Sequence, residues 1–99
     1  MDKSHTKSLN EDQKRFYRLL AQYPRIAQYW DWEKREVDAE RITADVPAMS
    51  HGERLMAHFF VSVWLGKSTF GGDVIEAATV LDEKGRVMIA NWLIAPFWP

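Results

Sequence analysis

The segment from Ser50 to Gly66, SHGERLMAHFFVSVWLG, constrains the fold of this chain more than any other. Ser50 is a good helix N-cap, and Glu53, three positions on, can reach back to the cap's free N–H in a capping box. Gly66 is placed to leave the helix in the left-handed conformation that closes its last carbonyls. Between these signals lie Leu55, Met56, Phe59, Phe60, Val61, Val63, Trp64 and Leu65. That surface is wider than the single stripe of an ordinary surface helix, so it must be covered on more than one side, by the chain itself or by a partner. Any part left bare is where a binding surface is expected.

Four other segments can supply the cover. Asn10 reads as the cap of a first helix, with Glu11 and Asp12 in its first turn, Gln13 completing a capping box, and Phe16, Leu19, Leu20 and Tyr23 on one face. Pro24 ends or kinks that helix and suits the first turn of another. A second helix is expected over about residues 25–41, with Ile26, Val37 and one of Tyr29 and Trp30 inward. Its outer face would be dense in charge, with Asp31–Arg35 and Lys34–Asp38 at i, i+4 spacing. Residues 43–49, TADVPAM, read as a connector, and KSTFGG after the central helix as a glycine-containing loop. Asp73 and Glu76 repeat the capping pattern for a helix from Val74 to about Leu81.

The stretch 74–94 has two readings. VIEAATVL-DEKG-RVMIANWLI could be a β-hairpin, because DEKG is suitable turn chemistry. The other reading is a short helix, then Asp82 as N-cap of a helix running from Glu83 to about Ala95 and halted by Pro96. Helices are favoured: EAA is a poor strand centre, and the alternation of a half-buried strand fails over Ile89–Ile94. An isolated two-stranded ribbon would also be marginal in water. The expected fold is therefore all-α, a compact bundle of four to five short helices in one domain over residues 10–99, behind a flexible leader over 1–9. The alternative is α+β with a C-terminal hairpin.

Several chemistries are excluded or weakened. The chain of 99 residues has no cysteine, which removes disulfides, thiol nucleophiles and cysteine-held metals and suits a reducing compartment. The first ten residues lack the apolar core of a signal peptide, and the run Leu55–Leu65 is about half a bilayer span, so a soluble cytoplasmic protein is expected, with no membrane contact. His51 and His58 are seven apart, too far for the adjacent-turn pair of a helical zinc site. A third ligand would have to be Asp73 or Glu76. Gly66-Lys67-Ser68-Thr69 imitates the end of a phosphate-binding loop, but the glycine required five positions earlier is Val61, and a helix rather than a strand precedes it. Ser50 beside His51 is already explained by capping. Neither an enzyme, a cofactor, a metal nor a small-molecule substrate is indicated.

Two binding readings remain. Net charge is −1, with nine residues of each sign before residue 50 and four basic against five acidic after it, so no basic excess marks a nucleic-acid binder. Lys14, Arg15, Arg18 and Arg25 could nevertheless form a phosphate-contacting stripe along the first helix. The leading expectation rests on the five tryptophans. Trp30 and Trp32, two apart on a helix, would point about 200° from one another, so one would be exposed. Trp92, Phe97 and Trp98 gather at the C-terminus, with Trp64 and Phe70 as possible neighbours. Large rings in a polar surround are what interface centres are made of. The chain thus reads as a non-enzymatic interaction or regulatory domain, binding a protein partner or itself through Trp30, Trp32, Trp92, Phe97 and Trp98.

Overall fold

A computed structural model describes residues 9–67 and 74–99. The chain is mostly helical with one small antiparallel sheet, in the order α1 (Glu11–Leu20), α2 (Pro24–Ala27), β1 (Trp30–Asp31), β2 (Glu36–Val37), α3 (Ala39–Asp45), a 3₁₀ turn (Val46–Ala48), α4 (His51–Leu65), α5 (Val74–Val80) and α6 (Glu83–Ile94).

The caps read from the sequence are in place. Asn10 Oδ1 accepts from the Gln13 N–H at 2.8 Å while Gln13 Oε1 accepts from the Asn10 N–H at 3.1 Å, so α1 starts in a complete capping box. At α4 the Ser50 hydroxyl oxygen accepts from the Glu53 N–H at 3.2 Å. The Glu53 carboxylate departs from the box pattern: it accepts from the Ser50 hydroxyl and lies 3.8 Å from Arg25. Gly66 takes φ 68°, with its N–H on the Val63 carbonyl and the Lys67 N–H on the Ser62 carbonyl, which is a Schellman closure. Asp82 caps α6 through the Gly85 N–H at 2.8 Å.

The expected helix over 25–41 does not form, so the mostly helical chain carries one small antiparallel sheet that an all-α reading lacks. α2 lasts four residues; then Trp30 pairs with Val37 and Asp31 with Glu36. Asp31 Oδ1 accepts from the N–H groups of Glu33 and Lys34, at 3.0 and 3.1 Å, and Arg35 adopts φ 54°. An aspartate that takes the next turn's amides offers the backbone an alternative to helix, and the aromatic run before it prefers extended geometry. The i, i+4 charge spacings of this stretch therefore never meet on a helix face. Asp38 then caps α3 through the Arg41 N–H, and α3 runs to Asp45, into what the sequence suggested was connector.

Residues 74–94 are helical, as favoured, so the C-terminal hairpin alternative fails; the chain's hairpin is the small one at 30–37. Leu9, assigned to a flexible leader, is buried, while the rest of that leader, the loop over 68–72 and the Asp73 cap lie outside the described residues.

The core forms around α4. Leu55, Met56, Phe59, Phe60, Val61 and Val63 are buried and meet Phe16 and Leu20 of α1, Ile26 of α2, Ile42 of α3, Leu81, and Met88 of α6. Gly85 lets α6 approach: a Cβ there would stand 3.3 Å from Met56 Sδ and from its own cap, Asp82 Oδ1. No helix among the described residues is long and apolar enough to cross a membrane.

Candidate interaction surface

The tryptophans divide into two groups. Trp30 and Trp32 lie on extended backbone and turn, where residues two apart share a side, and both enter one cluster instead of pointing apart. Trp64 meets Trp30 with ring centres 6.2 Å apart and Trp32 at 5.6 Å, both edge-on. Phe16 fills the space between, 5.7 Å from Trp30, 6.5 Å from Trp32, 5.4 Å from Trp64 and 5.6 Å from Phe60. Tyr17 closes the Trp32 side at 5.0 Å. Trp30 is buried and Trp32 half-buried.

The second group is at the C-terminus. Trp92 meets Phe59 of α4 at 5.9 Å and Trp98 at 5.9 Å, and its indole N–H donates to the Phe97 carbonyl at 2.9 Å. That bond folds the proline-bounded tail back beside α6. Phe97 is buried under the Arg15 guanidinium, 4.9 Å from its ring centre, whereas Trp98 keeps 58% of its surface in solvent. Trp64 belongs to the first cluster, not to this one.

Between α4, α5 and α6 the second group borders an apolar groove of about 460 Å³. Phe59 and Val63 of α4, Val74 and Ala77 of α5, Ile89 and Leu93 of α6, and Trp98 of the tail line it, with Ser62 and Lys67 as the polar side chains. Gly66 passes beneath the Trp98 ring, which lies 3.9 Å from where a Cβ would be. Val74, Leu93 and Ile94 are 74%, 61% and 81% exposed, and Leu65 and Ile75 are exposed too. Of the groove's lining, which also includes Trp92, the sequence marks Trp92 and Trp98 as site residues. The missed signal is on α6, where Val87, Met88, Ile89, Trp92, Leu93 and Ile94 leave no wholly polar face.

The cations proposed for phosphate contact have different surroundings. Lys14 pairs with Glu11 at 3.4 Å, Arg25 on α2 with Glu53 at 3.8 Å, and Arg15 covers Phe97, while Arg18 is exposed near the end of α1. The two central-helix histidines have different surroundings: His51 Nε2 lies 3.3 Å from Glu76 Oε1 on α5, whereas His58 lines a small cavity with Ile42, Thr43 and Val46. Among the described residues no group of three or more His, Asp or Glu could hold a metal ion.

Tyr29 carries the strongest polar contact near the sheet. Its hydroxyl donates to Asp45 Oδ2 at 2.6 Å, and the Arg41 guanidinium covers its ring at 4.9 Å. The bond to Asp45, then burial, raises its pKa above the ordinary phenol value. Comparison with protein-family models, with curated proteins and with solved structures finds no match to this chain.

Proposed function

We propose that the chain is a small non-enzymatic protein-interaction domain of the cytoplasm, and that it pairs with a second copy of itself through the groove between α4, α5 and α6. The observation that supports this is the exposure of Val74, Leu93 and Trp98 in the lining of that groove. Taking about 60–120 Å² for a buried aliphatic side chain and 150–250 Å² for an indole, these residues leave roughly 170–300 Å² of apolar surface in water. A standard interface takes about 800 Å² from each partner, a little over half of it apolar, or about 450 Å². The exposed lining of this groove therefore supplies about half of the apolar share of one side of such an interface.

Self-pairing suits the shape and the charge. An isologous contact needs a patch that holds both a projection and a recess. Here Leu93 and Trp98 are exposed at the groove, and Lys67 is the sole charged side chain among its described lining residues. A net charge of −1 adds little repulsion between copies. Tryptophan emission tests the proposal. Concentrating the chain is expected to shift emission to the blue as Trp98 leaves water, and Trp98→Phe is expected to remove the shift. Emission that stays constant across the micromolar range would count against it.

A further inference from the structure

A second cavity, of about 580 Å³, lies between α1 and α6 and has a different chemistry. Arg15 and Leu19, four apart on α1, and Gln22 just past its end line one side of it, while Lys84, Met88 and Trp92, successive turns of one face of α6, line the other. The helices run in opposite directions along the cleft. Arg15 lies over Phe97, beyond the C-terminal end of α6, and Lys84 in the first turn of α6 donates to the Gln22 carbonyl at 3.3 Å.

The two ends are electrostatically unequal. Lys84 is occupied: besides its bond to Gln22 it lies 4.4 Å from the Tyr23 ring centre, and Glu83 lines the same end. Arg15 is exposed, held in place by the Phe97 ring, and has no carboxylate partner among the described residues. A guanidinium braced on an aromatic ring keeps its N–H fork available for a planar anion. Beside it runs an apolar wall of Leu19, Val87, Met88 and Trp92. A mostly apolar cleft of a few hundred Å³ with one fixed polar group is the usual form of a small-ligand site.

We infer that the α1–α6 cleft binds a linear amphiphile with a single anionic head, the carboxylate seated on Arg15 and the alkyl chain lying along Leu19, Val87 and Met88 toward Lys84. From Trp92 back to Lys84, all within α6, the helix spans about 12 Å, which fits a chain of about eight to ten carbons. This site meets the self-pairing groove only at Trp92, which lines both, and either could fail without the other.

Sodium decanoate below its micelle concentration is the probe, followed by amide chemical shifts of the labelled full chain. Saturable shifts confined to α1, α6 and the tail are expected. Arg15→Gln is expected to weaken decanoate by about tenfold to a hundredfold, the worth of a charge-assisted bond, while leaving 1-decanol unchanged. Val87→Asp, at an exposed position, should abolish decanoate binding with an unaltered circular dichroism spectrum. Leu93→Glu, in the other groove, should leave it intact. The inference is overturned by an absence of saturable shifts, by equal affinity in Arg15→Gln, or by loss in Leu93→Glu with retention in Val87→Asp.

Discussion

The two aromatic ends of this molecule solve the same problem in different ways. Around Phe16, Trp30, Trp32 and Trp64, every ring is covered by another ring of the same chain, drawn from α1, the hairpin and α4. Around Trp92 and Trp98 the cover stops short: Phe59 and Phe97 are buried, but Trp98, Leu93 and Ile94 face solvent. Composition does not separate these ends, since both are rich in aromatic residues. What separates them is how completely the rings are enclosed. In the first cluster each ring meets rings from other elements, whereas at the C-terminal end Trp98 meets only Trp92 among the described rings and stays 58% exposed. The first end explains why the chain folds; the second leaves apolar surface in water.

If that contrast is correct, changes at the closed end should cost folding stability and changes at the open end should cost association. The largest effect is expected from Phe60→Ala. Phe60 is fully buried and touches both Phe16 and Phe59, so urea unfolding should show a loss of about 3–5 kcal/mol. Leu93→Glu should do the reverse. It places a charge on the proposed interface and should weaken pairing by about 2 kcal/mol or more, roughly thirtyfold, while monomer stability moves by less than about 0.5 kcal/mol. A Phe60→Ala chain as stable as the parent, or a Leu93→Glu chain that unfolds, would erase the distinction.

The hydrogen bonds offer a finer comparison. At the closed end Tyr29→Phe removes a 2.6 Å bond to Asp45 and should cost about 1–2 kcal/mol near neutral pH. The folded-state pKa of Tyr29 is raised above its unfolded value. Its contribution is therefore complete below about pH 10 and is lost as pH climbs through the folded pKa. The parent should accordingly lose more stability than Tyr29→Phe between pH 9 and about pH 11, and parallel curves would refute this. Asp82→Ala deletes the cap of α6 and should cost about 1 kcal/mol in thermal unfolding. The smallest effect belongs to the open end. His51→Ala breaks a half-exposed 3.3 Å contact between α4 and α5 and should cost less than about 0.5 kcal/mol.

Helix ends were the most legible part of this fold. Asn10 with Gln13, Ser50 with Gly66, and Asp82 each act over three or four residues, so local sequence suffices to place them. The hairpin at 30–37 was not legible. Its charges are spaced as on a helix, but the structure turns on one Asp31 side chain capturing two amides and on Arg35 entering the left-handed region, which periodicity does not report. That error carried into the site: on a helix Trp30 and Trp32 diverge, on extended backbone they converge. The C-terminal residues were partly legible, since Trp92, Phe97 and Trp98 were singled out and do gather. Which of them stay bare depends on tertiary cover, and so does the final state of α4, whose large residues are buried or half-buried apart from Leu65. The uncovered apolar surface lies mostly on α5 and α6, the helices that cover α4.

Light scattering of the intact chain across the micromolar range tests this division most directly, with Leu93→Glu measured beside it. The mass of the parent should rise from about one chain toward two as concentration increases, with a midpoint of about micromolar. Leu93→Glu should stay at one chain throughout. A parent chain that remains a monomer at every concentration, with Trp98 emission that never changes, would contradict the account.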